Sequence, residues 1–136
     1  MSKPRVLLVD DNQAILDCLV KMLGREYTIV GAITDGPRVL DAVAILKPDI
    51  VVMDISMPEV SGLELARLLQ KNSPAPPVVF VTVHEDPEFM EAAQDLGAAG
   101  YVVKSTMETE LKPALELALK RQRVIVPATQ AISRVP

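Results

Sequence analysis

Five short apolar runs, none alternating with polar residues, are each followed by a longer stretch of helical spacing. They lie at 5–9, 27–33, 50–53, 78–82 and 100–103. A strand that is apolar at nearly every position is covered on both faces, the situation of a parallel sheet between two helical layers. Strict strand–helix succession requires crossover connections, which are right-handed within one sheet. The expected fold is therefore α/β: a doubly wound, five-stranded parallel sheet with helices on both faces.

Local signals place the helices. Asn12 precedes a stripe of Ile15, Leu19, Met22 and Leu23, and Gly24 ends it. Asp35-Gly36-Pro37 reads as a helix start with proline at the first helical position, and Lys47-Pro48 as its stop. Ser61 and Glu64 have the spacing of a capping box for a helix running to about Lys71. Asp86-Pro87-Glu88 opens the fourth helix, with Phe89, Ala92, Ala93 and Leu96 as its inner stripe and Gly97 as its end. Leu111, Ala114, Leu115 and Ala118 mark the fifth. Pro113 is expected in its first turn or at a delayed start, because an interior proline costs about 3 kcal/mol.

The chain has 136 residues, enough for one core and too few for two. A domain over 1–123 is expected, with 124–136 as a linker or tail. One cysteine, Cys18, excludes an intrachain disulfide framework and reads as a half-buried packing residue. No apolar run approaches the roughly 18 residues of a membrane span, and the start does not resemble a secretory leader, so a cytoplasmic site is expected. Residues 1–119 carry 10 Lys+Arg against 18 Asp+Glu, a net −8. Such a body does not suit duplex DNA, which needs a basic face. Aromatics at 3% are too few for base stacking.

In an open parallel sheet, function gathers at the carboxyl ends of the strands. Strand one ends in Asp10 and Asp11, strand three in Asp54, strand four in Thr82 and strand five in Lys104. Three hard oxygen donors suit a divalent hard cation, magnesium above others. Clustered without one, the acids repel, and at least one pKa is expected to rise. A carboxylate beside a cation, a lysine and a threonine suits a phosphoryl group, whose transfer is mostly positioning and charge neutralisation. Asp54, alone on the central strand, is the expected nucleophile.

Two rival readings weigh less. A haloacid-dehalogenase-like phosphatase carries its nucleophile on the first strand in an Asp-x-Asp pattern, whereas strand one here ends Asp10-Asp11-Asn12, and no cap domain fits. A flavodoxin-like cofactor binder needs a phosphate loop after strand one, where Asp10 and Asp11 would repel a phosphate.

The motifs VLLVDD (6–11), VVMDISMPEVSG (51–62), VFVTVHED (79–86) and GAAGYVVKS (97–105) resemble the receiver domains of two-component response regulators, most closely the NarL/FixJ type. That resemblance implies the flavodoxin-like strand order 2-1-3-4-5. It implies Asp54 as phosphoacceptor, not an enzyme with turnover beyond its own phosphoryl transfer and dephosphorylation. Magnesium would be held by Asp11, Asp54 and the Ser56 carbonyl, with Asp10 acting through a water. Thr82 and Lys104 would contact phosphoryl oxygens, Thr82 and Tyr101 would act as the switch pair, and the face of helix four, strand five and helix five would change. His84, the sole histidine, reads as a rim residue, with an effect on the attacking water as the sharper option. Ser105 stands where many receivers have proline, which leaves the loop after strand five open. The implied partners are a sensor histidine kinase or phosphotransfer protein, and a second copy on phosphorylation. No direct DNA or membrane contact is implied. Output is expected to be transcriptional, through a DNA-binding domain outside this chain, with a stand-alone receiver working by protein contact as the alternative.

Overall fold

The computed structural model describes residues 2–123, Ser73 excepted. The expected tail, 124–136, lies outside the described residues. Five strands form one parallel sheet: β1 (Arg5–Val9), β2 (Thr28–Ile33), β3 (Ile50–Met53), β4 (Val78–Thr82) and β5 (Gly100–Val103), in the order β2-β1-β3-β4-β5. Five α-helices alternate with them: α1 (Gln13–Leu23), α2 (Val39–Leu46), α3 (Gly62–Leu69), α4 (Pro87–Asp95) and α5 (Met107–Arg123).

The sheet separates two cores. Side chains alternate across a strand, so Val6 and Leu8 join α1 and α5 on one face with Ile50, Val52, Val79, Val81 and Val102. Leu7 and Val9 face the other way, with Val51, Met53, Val78 and Phe80, against α2, α3 and α4. This two-sided burial is why the strands show no polar alternation. The central strands β3 and β4 are buried at every position, while the edge strand β2 is only partly covered.

Helix ends follow local chemistry, with some departures from the sequence reading. Asn12 caps α1, its Oδ1 accepting from the N–H groups of Ala14 and Ile15. The buried stripe of α1 is Leu16, Leu19 and Leu23, with Ile15 and Met22 flanking it half-buried. Pro37 opens a 3-10 turn, Gly36–Arg38, and α2 proper starts only at Val39. Only half of the expected capping box forms. Ser61 Oγ accepts from Leu63 N–H at 3.1 Å, but Glu64 pairs with Arg67 instead of reaching back. α3 ends at Leu69, short of Lys71. In α4 only Ala93 is fully buried, and Gly97, at φ +79°, turns the chain out of the helix.

Pro113 lies well inside α5, not in its first turn. The 3-10 turn Lys104–Thr106 leads straight into Met107, and Met107 and Leu111 are both buried. Packing of those early turns outweighs the hydrogen bond that Pro113 cannot donate, and its ring lies at an exposed position. Lys112 pairs with Glu26 at 2.7 Å, not along its own helix. Cys18 is half-buried against the α1/α5 core, as expected. No helix among the described residues is long and apolar enough to cross a membrane.

Candidate functional site

The sheet ladder continues one residue past its central strands and thereby mounts the acids. Asp10 N–H donates to the Ile33 carbonyl at 3.0 Å, and Asp54 N–H to the Val9 carbonyl at 2.9 Å. Two carboxylates thus leave a rigid, buried edge side by side. One oxygen from each of Asp10, Asp11 and Asp54 lies within 4.8 Å of the others. Asp10 and Asp54 are buried and Asp11 is exposed. Together they form a set of hard oxygen donors that can hold a divalent cation.

Lys104 reaches in from the end of β5. Its Nζ lies 2.8 Å from Asp10 Oδ2 and 3.3 Å from Asp54 Oδ2. Burial works against its charge, but the hydrogen bond from Lys104 to Asp10, with both carboxylate charges, holds its pKa above the usual lysine value. The rise expected among the clustered acids falls on Asp54. Burial pushes its carboxyl up, the Asp10 charge adds to this, and Lys104, with a smaller effect from the Ile55 N–H, opposes both. Asp54 Oδ1 is buried and has no hydrogen-bond partner among the described residues. Such an atom is costly unless something is meant to meet it.

The rest of the set lies around this centre. Thr82 is fully buried, and its Oγ1 accepts from His84 N–H at 3.3 Å. Tyr101 is half-buried and its hydroxyl donates to the His84 carbonyl at 2.9 Å. Burial, and then the nearby Asp86 charge, push its phenol above the ordinary value. His84, expected at the rim, is half-buried and tied to its neighbours. Its Nε2 shares a hydrogen bond with Ser56 Oγ. Its ring stacks on Phe89, with centroids 4.0 Å apart and planes 14° apart. A hollow of about 510 Å³ opens beside the acids, lined by Asp11, Ile55, Ser56, Met57, Pro58, Ser61 and Phe89.

Two residues here escaped the sequence reading. Phe89, expected in the inner stripe of α4, packs half-buried against that core, but it also stacks on His84 at the site's rim, and its spacing carried no sign of this. Gly62 has a clearer signal, since glycine is a poor choice for the first helical residue after a serine cap. A Cβ there would lie 2.0 Å from the Asp54 carbonyl oxygen, and Gly62 N–H donates to the Ile55 carbonyl at 2.7 Å. The missing side chain lets the loop after β3 fold tightly against the Asp54 backbone.

The family model "Response regulator receiver domain" matches residues 6–116. The chain is 38% identical over 122 residues to "Transcriptional regulatory protein PdtaR" of Mycobacterium tuberculosis, covering 89% of this chain and 59% of that protein. It is 38% identical over 125 residues to "Response regulator GacA" of Pseudomonas viridiflava, covering 90% and 58%. The chain thus spans about three fifths of the length of these curated relatives. Among solved structures, a LuxR-family two-component response regulator from Aurantimonas superposes with a TM-score of 0.83 at 31% identity, over 99% of this chain and all of that one. The signal receiver domain of the response regulator NarL of Mycobacterium tuberculosis does so with a TM-score of 0.80 at 27% identity, over 87% and 98%.

Proposed function

The chain belongs to the response regulator receiver domain family, and from that premise we propose that Asp54 is its phosphoacceptor in two-component signalling. The donor is a phosphohistidine on a histidine kinase or phosphotransfer protein. A carboxylate oxygen of Asp54 bonds to phosphorus as the phosphorus–nitrogen bond breaks, and the electron pair leaves with the imidazole. The observation that carries this reading is the orphaned Asp54 Oδ1, a buried, unpaired acceptor amid two other carboxylates and a lysine.

The donor set fits magnesium: Asp11, Asp54 and the Ser56 carbonyl would hold it directly, and Asp10 through a water. When bound, the cation neutralises charge on the carboxylates and the phosphoryl oxygens. Lys104 supplies a fixed positive charge that pairs with one phosphoryl oxygen, and the Thr82 hydroxyl donates to another. The aspartyl phosphate adds roughly two negative charges at neutral pH. Thr82 is drawn toward it, Tyr101 gives up its bond to the His84 carbonyl, and the face of α4, β5 and α5 shifts population between two states. His84 and Ser56 stand at the edge where water would approach. Phosphorylation is stoichiometric, without turnover of a diffusible substrate. We place the protein in the cytoplasm, with transcriptional output through a part of the protein beyond the receiver.

Incubation with acetyl phosphate and magnesium, followed by intact mass measurement, tests this reading. Wild type should gain one phosphoryl group, and Asp54→Asn and Asp54→Ala none. An adduct persisting at wild-type yield in Asp54→Ala would refute it.

A further inference from the structure

Phe89 is held more firmly than its place under α4 accounts for. Asp86-Pro87-Glu88 start α4 shortly after the carboxyl end of β4, so Phe89 falls in the first turn of the helix. Ala93, one turn on, is fully buried, whereas Phe89 stays partly open. Part of its cover is the His84 imidazole, 4.0 Å away between centroids. His84 is itself fixed at three points: Nε2 by Ser56 Oγ, its N–H by Thr82 Oγ1 and its carbonyl by the Tyr101 hydroxyl. Phe89 thus stands on a firm backing, and it lines the hollow of about 510 Å³ beside the acids.

The lining of that hollow limits what suits it. Ile55, Met57, Pro58 and Phe89 offer aliphatic, thioether and aromatic surface, and Ser56 and Ser61 offer hydroxyls. Ser61 Oγ accepts from Leu63 N–H and retains its own proton and a second lone pair. Asp11, the one charged residue of the lining, belongs to the group of acids that can hold a cation. No lysine, arginine or histidine among the described residues lines the hollow, so a departing carboxylate finds no side-chain counter-charge there. A flat heteroaromatic ring fares better. Its faces and edges suit Phe89 and the Met57 sulfur, a positive charge on it suits an aromatic face, and its N–H has a hydroxyl oxygen to meet.

We propose that this hollow receives the imidazole ring of the phosphohistidine donor, and that Phe89, with Met57 and Pro58, binds it. This rests on Asp54 being the phosphoacceptor, and it adds what selects the leaving group. The donor ring arrives phosphorylated on one nitrogen and protonated on the other. As an Asp54 oxygen bonds to phosphorus, the phosphorus–nitrogen bond breaks and its electron pair stays with the ring. The ring is left in the hollow as neutral imidazole, with its N–H free to donate to the Ser61 hydroxyl. A donor without such a ring, acetyl phosphate for one, reaches Asp54 without this contact. Phe89 therefore sets the preference between the two classes of donor.

Labelling of the full 136-residue chain by monophosphoimidazole and by acetyl phosphate, each with magnesium, tests the proposal, with initial rates read by intact mass. The two donors differ in intrinsic reactivity, so the readout is the ratio of their rates, imidazole donor over acetyl phosphate, in each variant against wild type. The ratio also cancels any loss of folded protein, which affects both donors alike. Phe89→Ala should lower it by about threefold to tenfold, the range of one lost aromatic contact. Phe89→Tyr, which keeps the ring, should restore the wild-type ratio. An unchanged ratio in Phe89→Ala, with both donors still labelling the chain, would overturn the proposal and leave Asp54 as acceptor. A fall of equal size in Phe89→Tyr would overturn it as well, because the aromatic ring would then not be what the donor meets. Labelling that persists at wild-type rate in Asp54→Ala, or no labelling of wild type by either donor, would instead remove the phosphoacceptor reading and this proposal with it.

Discussion

Replacing Asp54 by Asn should make the fold more stable at neutral pH, although it removes one partner of an ion pair. The carboxyl is buried, its Oδ1 has no partner, and Asp10 lies beside it. Burial first, and Asp10 second, raise its pKa above the ordinary value of 3.8. A raised folded pKa means that the native state holds the proton more tightly than the unfolded chain does. The stabilising contribution is therefore complete below the ordinary value and is lost as pH climbs through the raised one. At pH 7 the ionised Asp54 destabilises the fold. A buried acceptor left without a partner costs about 1–3 kcal/mol and more when it is charged, the neutral Asn amide sheds the charged part of that cost, and Lys104 at 3.3 Å offsets some of it, so Asp54→Asn should gain about 1–2 kcal/mol. Lys104 is not stranded by the change, because Asp10 remains 2.8 Å away. For a domain of this size the gain is roughly 3–10 °C in Tm. Urea unfolding at a series of pH values is the assay. The gain should be full at pH 7 and shrink as pH falls toward the ordinary carboxylate value, where wild-type Asp54 is protonated as well. Asp54→Ala should share the sign. A wild type more stable than both variants at pH 7, or a gain that grows on acidification, would refute the reasoning.

Three other outcomes follow from the same geometry. Gly62→Ala should cost about 3 kcal/mol or more, because its Cβ would lie 2.0 Å from the Asp54 carbonyl oxygen, and denaturant midpoints will show it. Leu115→Ala, at a fully buried position of the α1/α5 core, should cost about 2–5 kcal/mol in the same measurement while leaving phosphoryl uptake by the folded protein intact. Magnesium titrations should show a larger affinity loss for Asp11→Ala than for Asp10→Ala, since Asp10 already holds Lys104 and the Asn12 N–H. The reverse order would count against direct ligation by Asp11.

Strands were the most legible part of the chain. Four of the five match their apolar runs end to end, because a strand covered on both faces writes its burial directly into sequence. The fifth differs by one residue: Tyr27 is buried but lies just before β2. Helix boundaries were less legible, for reasons specific to each. Proline at position 37 suits a 3-10 turn as well as a first α turn, and Glu64 had a nearer partner in Arg67 than the Ser61 backbone. At Pro113, tertiary packing of Met107 and Leu111 overrode a local rule. The polar residues at the strand ends were identifiable as a group because sheet topology alone brings them together. The ties among Ser56, His84 and Phe89 were not, because they depend on how two loops meet. No spacing along one chain segment encodes that meeting.

The sheet that separates the two cores also acts as a partition for mutation. Among the described residues the two cores have no member in common, so a substitution among Leu16, Leu115 and their neighbours reaches Leu65, Phe80 or Val39 mainly through the backbone. Effects at well-separated sites without shared partners add almost independently. The helical layer of α2, α3 and α4 can therefore drift in sequence on a schedule of its own, while α1 and α5 follow another. A receiver built this way can acquire a new docking surface on one flank without renegotiating the packing of the other.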